Sequence, residues 1–443
     1  MIELHALDRD VATAKRLVAA FHGELREPDE ERVGPPPLAS IRKVSRRELH
    51  EELGGLATDP WARALRGWVA YLTLERVTAR DHLRAAELRH ARAHRTERGE
   101  LVSLDELVES VLLRPREPAR AAAELVEAAR PLRRAARFAS ARWVEAASLL
   151  EGLDLAALEH PGSTREALGQ AAGEMLASTD ALRPSAGARP WWELVSEGFG
   201  REAGEGWPVA PNARWIEGIF HGSVLVEGLR PSLPPLPRAI GASSFARALA
   251  CFGRALVDVD LPLGPFAMGR RPFEPLSARR AALFASLVAE PSFHRHVLGL
   301  GRSASREQAR RVASSLVVHL RHLAARVHAF DAFIELDEDE AMHAHAEATL
   351  RALGSSVPGA LAGVVLRYPR GLRLEWQGIL LGVLDRSALR DQHDEDWWRN
   401  PRAHEALRHE HAQPLAAPDT AALPLDGAVP ALVAWLDELG VGS

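Results

Sequence analysis

The chain has 443 residues, of which 47% are hydrophobic and 26% are charged, a composition typical of a globular protein. Its formal net charge of -5 is too small to indicate a polyanionic partner, and its basic residues, all arginine except Lys15 and Lys43, alternate with acidic ones, so we expect no nucleic-acid binding. The single cysteine, Cys251, excludes an intrachain disulfide.

Helical periodicity dominates the first part of the chain. From Trp61, apolar residues recur at three- and four-residue spacings, and a charged run continues to Arg98 without Gly or Pro, which predicts an amphipathic helix. The letters SLDE at Ser103–Glu106 are typical of a capping box and predict a helix over Leu101–Leu113. One or two further helices are expected over Pro118–Leu150.

A region rich in proline and glycine interrupts this pattern between residues 183 and 241. Within it, Trp215–Phe220 and Ser223–Glu227 are short alternating segments separated by His-Gly, and they predict a small β-hairpin. We therefore predict three regions, which are an N-terminal helical lobe at 1–185, a junction at 186–242 and a C-terminal helical lobe at 243–443.

Helical patterns return in the last region. The predicted helices cover residues 243–258, 277–289, 303–334, 337–353, 373–391, 394–412 and 428–439. Ser277 is the expected N-cap of the second of these, and consecutive acidic residues from Asp337 suit the start of the fourth. The expected fold is mainly α and bilobed, with one small β element near residues 214–228.

The letters ACFGRAL at Ala250–Leu256 resemble the zinc helix of the oligopeptidase F and thimet oligopeptidase families, where the usual run is HEFGHAL. Phe, Gly, Ala and Leu are in place. The positions of the two zinc-binding histidines and the catalytic glutamate hold Ala250, Arg254 and Cys251. A zinc helix needs two histidines four residues apart, so the resemblance implies a metallopeptidase scaffold without its metal.

Further landmarks follow in the order of these families and of the carboxypeptidase Taq family. Glu290, in LVAEPSF, stands at the place of the third zinc ligand, and the run DWWRNP at Asp396–Pro401 follows a helix containing Trp376. The ending over Leu425–Gly440 is similar to the families' closing pattern. The resemblance implies a helical, bilobed fold with a deep cleft and a short sheet before the zinc helix. It also raises the hypothesis that Glu290 pairs with Arg254 instead of a metal.

Other residues offer alternative chemistry. His319 and His322 share a helix face, and with His294, His296, His343 or His345 from neighbouring helices they are an alternative metal site. His404 and His409 are one residue too far apart for an HExxH pair, and His328 lies on the opposite side of its helix from His319. Cys251 is an alternative nucleophile, but its apolar neighbours favour a structural role.

Tryptophans are unusually frequent, with 11 in the chain. Trp376, Trp397 and Trp398 are candidate aromatic residues of a binding cleft, although packing in the core is the favoured interpretation. Neither a phosphate-binding glycine loop nor a GxSxG nucleophile motif is present in the sequence.

The favoured function is a catalytically inactive metallopeptidase-like protein that binds a peptide or protein in the inherited cleft. No cofactor is expected, and zinc would be expected only if the metal site has been rebuilt. An active hydrolase with a rebuilt site and a helical scaffold without a cleft function are the alternatives.

The first residues lack the apolar core of a signal peptide and no apolar run reaches the ~20 residues of a membrane span, so we expect a cytoplasmic protein without membrane contact. The oligomeric state stays open.

Overall fold

The fold is mainly α, as predicted. The computed structural model describes residues 3–25, 38–95, 99–113, 117–183, 189–199, 204–209, 211–221, 223–226, 242–259, 264–365, 368–412 and 425–441. Over these residues the α-helices of the first half are α1 Leu4–Glu24, α2 Arg47–Gly54, α3 Pro60–His90, α4 Leu104–Leu113, α5 Pro118–Ser148, α6 Leu155–Glu159, α7 Arg165–Ser178, α8 Trp191–Phe199 and α9 Ala213–Ile219.

The second half is built from nine further helices within the described residues. They are α10 Ala242–Val259, α11 Phe266–Gly269, α12 Pro275–Ala285, α13 Pro291–His296, α14 Arg302–Glu335, α15 Glu338–Leu353, α16 Leu372–His393, α17 Pro401–His411 and α18 Ala428–Glu438. Short 3₁₀ turns connect them and the earlier helices at Ala39–Val44, Asp180–Leu182, Val224–Val226, Ser286–Ala289, Gly359–Leu361 and Trp397–Arg399.

The predicted hairpin near residues 214–228 is wrong where the chain is described. The Asn212 side chain accepts a hydrogen bond from the backbone N–H of Trp215 at 2.9 Å and caps α9, so the first segment is helical. The second segment forms a 3₁₀ turn, and Ser223 Oγ accepts from the backbone N–H of Leu225 at 3.1 Å. Short apolar runs of this kind do not distinguish a strand from a buried helical turn.

The β element of the described chain lies elsewhere. Strands β1 His94–Arg95 and β2 Leu101–Val102 pair antiparallel, with His94 opposite Val102. The charged run was predicted to stay helical to Arg98, but α3 ends at His90 and β1 begins at His94. The sheet therefore precedes α4 and does not lead into α10.

The predicted N-caps of α4 and α15 are confirmed, and the predicted N-cap of α12 is wrong. In the capping box before α4, the backbone N–H of Ser103 donates to Glu106 at 2.8 Å and the backbone N–H of Glu106 donates to Ser103 Oγ at 3.3 Å, which confirms the prediction. Asp337 accepts from two backbone N–H groups at the start of α15. Ser277 is not an N-cap. The Glu274 side chain caps α12 instead, one turn earlier, because Pro275 occupies the first helical position.

The largest apolar core extends across the predicted lobe boundaries. It runs from Val102 to Leu439 and combines side chains of α4, α5, α7 and α8 with those of the C-terminal helices. A second core joins α1, α2 and α3, and a third lies between α3 and α5. The boundaries at 185 and 242 stay a prediction.

Helix α12 lies between α10 and α16 in close contact with both. A Cβ added at Gly253 of α10 would meet the carbonyl oxygen of Arg280 at 2.3 Å, and one added at Gly378 of α16 would meet the carbonyl oxygen of Ala278 at 2.6 Å. Only glycine allows backbone to approach backbone this closely. These three helices form the frame of the candidate site.

Candidate functional site

Three adjoining cavities form a groove, called here the interhelical groove. The first cavity has a volume of about 240 Å³ and lies among α10, α12, α14 and α16. The second and third have volumes of about 520 and 490 Å³. Arg254 and Glu375 line both the first and the second cavity, and His22 and Tyr71 line both the second and the third. The groove therefore runs from the C-terminal helices to α3 and α5.

Small side chains line two walls of the first cavity, which belong to α10 and α12. Four-residue spacing on α10 places Ala242, Ala246, Ala250 and Arg254 on one face, and that face is turned to the cavity. Opposite them, the cavity-lining alanines of α12 are Ala278, Ala281, Ala282 and Ala285. The walls are therefore largely apolar, and the charged side chains that reach this cavity belong to Arg247, Arg254 and Glu375.

Arg254 is exposed on this wall. Among the residues that the structure describes, its guanidinium has no side-chain hydrogen bond and no carboxylate within 4.0 Å. It lies one helical turn after Ala250, and both residues face the cavity, so the two positions that were compared with zinc ligands on sequence alone border the same space.

The hypothesis of an Arg254–Glu290 pair is wrong. Glu290 is buried and accepts a hydrogen bond from Arg386 Nε at 2.5 Å, and Arg386 lies 3.5 Å from Glu438 of α18. Glu290 thus ties the start of α13 to α16, because α16 carries a closer cation than α10 does. It does not line the first cavity.

Glu375 and His319 face the first cavity from α16 and α14. Glu375 is partly buried in the first turn of α16, and no described cation lies within 4.0 Å of its carboxylate. Burial lowers the pKa of His319, Glu375 opposes that change, and the charges of Arg326 and Arg247 reinforce it. His319 is therefore a neutral side chain at neutral pH.

A polar cluster, called here the Glu75 cluster, lies at the other end of the groove and consists of Glu75, His22, His82 and Tyr71. His22 Nε2 and Glu75 Oε2 are 2.9 Å apart, and the rings of His22 and His82 have centroids 6.0 Å apart. Burial alone would raise the pKa of Glu75, but the His22 hydrogen bond, both histidine charges and the Tyr71 hydroxyl together lower it.

The Glu75 cluster is not among the sites predicted from the sequence. Its signal is that Tyr71, Glu75 and His82 recur at four- and seven-residue spacing on α3, which places them on one face. The partner His22 comes from α1, and a contact between separate helices leaves no local pattern.

The other sequence candidates are dispersed. His294 is buried and bonds to the carbonyl oxygen of Val288 at 2.7 Å, and His345 is buried and bonds to the hydroxyl of Tyr368 at 2.6 Å. His322 is buried, and Cys251 is half-buried as a free thiol. Across the described ranges, no three His, Cys, Asp or Glu side chains are grouped closely enough to hold a metal ion.

The three candidate cleft aromatics, Trp376, Trp397 and Trp398, are buried in the core and none lines the three cavities of the groove. Trp376 Nε1 donates to the carbonyl oxygen of Leu168 at 3.2 Å, and Trp398 Nε1 donates to Ser292 Oγ at 3.3 Å. Their burial agrees with the packing interpretation, which was the favoured one.

No protein-family model matches the chain, and a search of curated proteins finds no match either. No described helix has both the length and the apolar character needed to cross a membrane.

Proposed function

We propose that the chain is a noncatalytic, metallopeptidase-like binding protein that takes a peptide segment in the interhelical groove. The observation that carries this proposal is the position of Arg254. Its exposed side chain stands where the first and second cavities meet, and no described residue neutralises it. A cation held in this way is available to a ligand.

The side chains at the zinc-helix positions argue against metal-based hydrolysis there. Ala250 has no ligand atom, and a guanidinium at Arg254 places a positive charge where a zinc ion would be held. The favoured reading of the resemblance is therefore a scaffold that keeps its cleft and uses it for binding alone.

The composition of the groove suits a peptide. The first cavity offers apolar walls for a side chain, whereas the second is bordered by polar groups that include Lys15, Asp258 and Arg271. A peptide presents apolar side chains and polar backbone groups along one chain, and an open groove favours binding over a purely structural scaffold.

Peptide binding can be tested by fluorescence polarisation with a fluorescein-labelled random peptide pool. Ala19 and Ala20 are both exposed on α1, but only Ala19 lines the second cavity, so Ala19→Trp fills the groove and Ala20→Trp is a matched control. We expect Ala19→Trp to weaken binding about tenfold or more and Ala20→Trp to leave it unchanged. Equal binding by both variants, or no binding by the wild type, would contradict a peptide groove.

A metal measurement tests the noncatalytic part separately. Protein purified without a histidine tag is analysed by elemental mass spectrometry before and after incubation with zinc. We expect far less than one equivalent. About one zinc per chain, together with cleavage of the same peptide pool, would replace the proposal by a working hydrolase with a rebuilt site.

A further inference from the structure

The first cavity has the features of a site for a small ligand in its own right. A cavity of about 150 Å³ with apolar walls is large enough for benzene. The first cavity measures about 240 Å³, and most of its described lining residues are apolar, with alanines on α10 and α12 and larger side chains such as Leu316 and Ile379 on α14 and α16. It therefore accommodates a larger apolar group, such as a two-ring aromatic system or a medium-length alkyl chain.

The charges around the cavity select the polar end of such a ligand. Arg247 and Arg254 are both exposed, lie seven residues apart on α10 and so share a face. Neither has a carboxylate of a described residue within 4.0 Å. Among the residues that the structure describes, Glu375 is the one acidic side chain that lines the cavity, and His319 contributes no charge when neutral. Burial lowers the pKa of Arg247, and the charge of Glu109, outside the lining, is among those that oppose this change, so Arg254 is the lining cation that remains without a nearby described carboxylate.

From this balance we propose that the first cavity binds a free carboxylic acid with an apolar body, its carboxylate at Arg254 and its apolar body among the alanines of α10 and α12. An arginine fork pairs with a carboxylate through two parallel hydrogen bonds, which favours an acid over a neutral group of the same shape. Glu375, beside the same opening, repels a second negative charge and favours a ligand with a single carboxylate.

This site goes beyond the proposed peptide groove and does not depend on it. A peptide with an apolar last residue and a free terminal carboxylate carries the same chemistry. We commit to the free acid because the first cavity holds the whole of such a molecule, and the experiment separates the two sources.

The test measures binding of octanoate, octanamide and octylamine to the full chain by isothermal titration calorimetry. These probes share one alkyl chain and differ only in the charge of the head group. We expect octanoate to bind about tenfold or more tighter than octanamide and octylamine to bind weakest. Equal affinities for octanoate and octanamide would overturn the assignment.

Two variants locate the site. Arg254→Met should abolish the preference for octanoate over octanamide, while Arg306→Met, at an exposed arginine outside the cavity, should retain it. Ala250→Phe should weaken both ligands about tenfold or more by filling the cavity, and Ala304→Phe, on the exposed face of α14, should not. Thermal melts confirm that each variant is folded, and Arg254→Lys, which keeps the charge, provides a second folded probe that should retain part of the preference.

The outcomes distinguish the free-acid site from the peptide groove. If Arg254→Met keeps the full octanoate preference, the carboxylate is not bound there and the proposal fails. If peptides with a free carboxyl terminus bind while octanoate does not, the free-acid site fails and the peptide groove stands. If octanoate binds and the peptide pool does not, the peptide groove fails and the acid site stands.

Discussion

Some side chains in this protein pair with residues that lie far away in the sequence. Glu290 stands at a ligand-like position in the sequence, yet its partner is Arg386, 96 residues further along the chain. Arg386 also lies over the ring of Trp435, with its Cζ atom 5.0 Å from the ring centroid. A buried ion pair of this kind fixes the relative position of α13, α16 and α18.

The role of Glu290 predicts a loss of stability. Glu290→Gln should lower the free energy of unfolding by about 2 kcal/mol or more, because Arg386 is buried and loses its closest counter-charge. Arg254→Met should stay within about 0.5 kcal/mol of the wild type, because the described residues offer it no partner. Urea denaturation measures both, with Glu405→Gln on an exposed face of α17 as the control. A larger loss of stability in Arg254→Met than in Glu290→Gln would contradict this assignment and support an Arg254–Glu290 pair.

His345 predicts a pH dependence. Burial, followed by the charge of Arg326, lowers its pKa to about 3, against about 6.5 in an unfolded chain. The unfolded state therefore binds a proton first, and stability is lost as pH falls from about 6.5 towards 3. His345→Gln removes this titration, so the gap between wild type and variant should narrow on acidification by about 1 kcal/mol or more. A gap that is constant between about pH 7 and 4 would mean that His345 is solvated in the folded state.

At the scale of elements, local signals were sufficient where one helix and its cap decide the outcome. The start of the long helix near Trp61, the capping box at Ser103 and the acidic start at Asp337 depend on residues within one or two turns, and each forms as predicted, although the first helix ends at His90 and not at Arg98. The predicted hairpin near residue 215 is wrong because the segment has an apolar pattern that suits both helix and strand, and the cap provided by Asn212 favours the helix.

The frame of α10, α12 and α16 predicts which glycines are indispensable. Gly253→Ala should destabilise the protein by about 3 kcal/mol or more, because the added methyl group meets backbone atoms of α12 that have no rotamer to change. Gly169→Ala in α7 is the matched control, since nothing lies within 4 Å of an added Cβ there. It should be neutral or stabilise by about 0.5–1 kcal/mol through helix propensity. Circular dichroism melts measure both, and equal melting temperatures would contradict the close approach.

At the scale of the whole molecule, the groove depends on helices from both ends of the chain. His22 of α1 and Glu375 of α16 border the same second cavity. The sequence placed Ala250 and Arg254 on one helix face, and the structure turns that face to the groove. For the Glu75 cluster the sequence carries only the spacing of its members on α3, and it carries no signal that the alanines of α12 form a cavity wall. Contacts between separate helices arise only when the helices pack.

The core also joins regions that composition separates. Gln377 of α16 donates a hydrogen bond to the carbonyl oxygen of Pro161 at 2.9 Å, and Trp376 bonds to α7. A proline-rich stretch marks where helices are interrupted, but it does not reveal whether the helices on either side share a core.

The alanine walls of the first cavity have a consequence for the thermodynamics of binding. Alanine has no side-chain torsion to restrict, so a ligand that enters between α10 and α12 orders almost nothing in these walls and incurs little entropic cost there. The alanines of these two walls cannot change rotamer to enlarge the space, so any adjustment to a ligand must come from α14 and α16, for example from Leu316 and Ile379. With Gly253 and Gly378 already in backbone contact with α12, the three helices keep their spacing, so we expect the alanine walls to limit the width of a ligand while α14 and α16 adapt to its length.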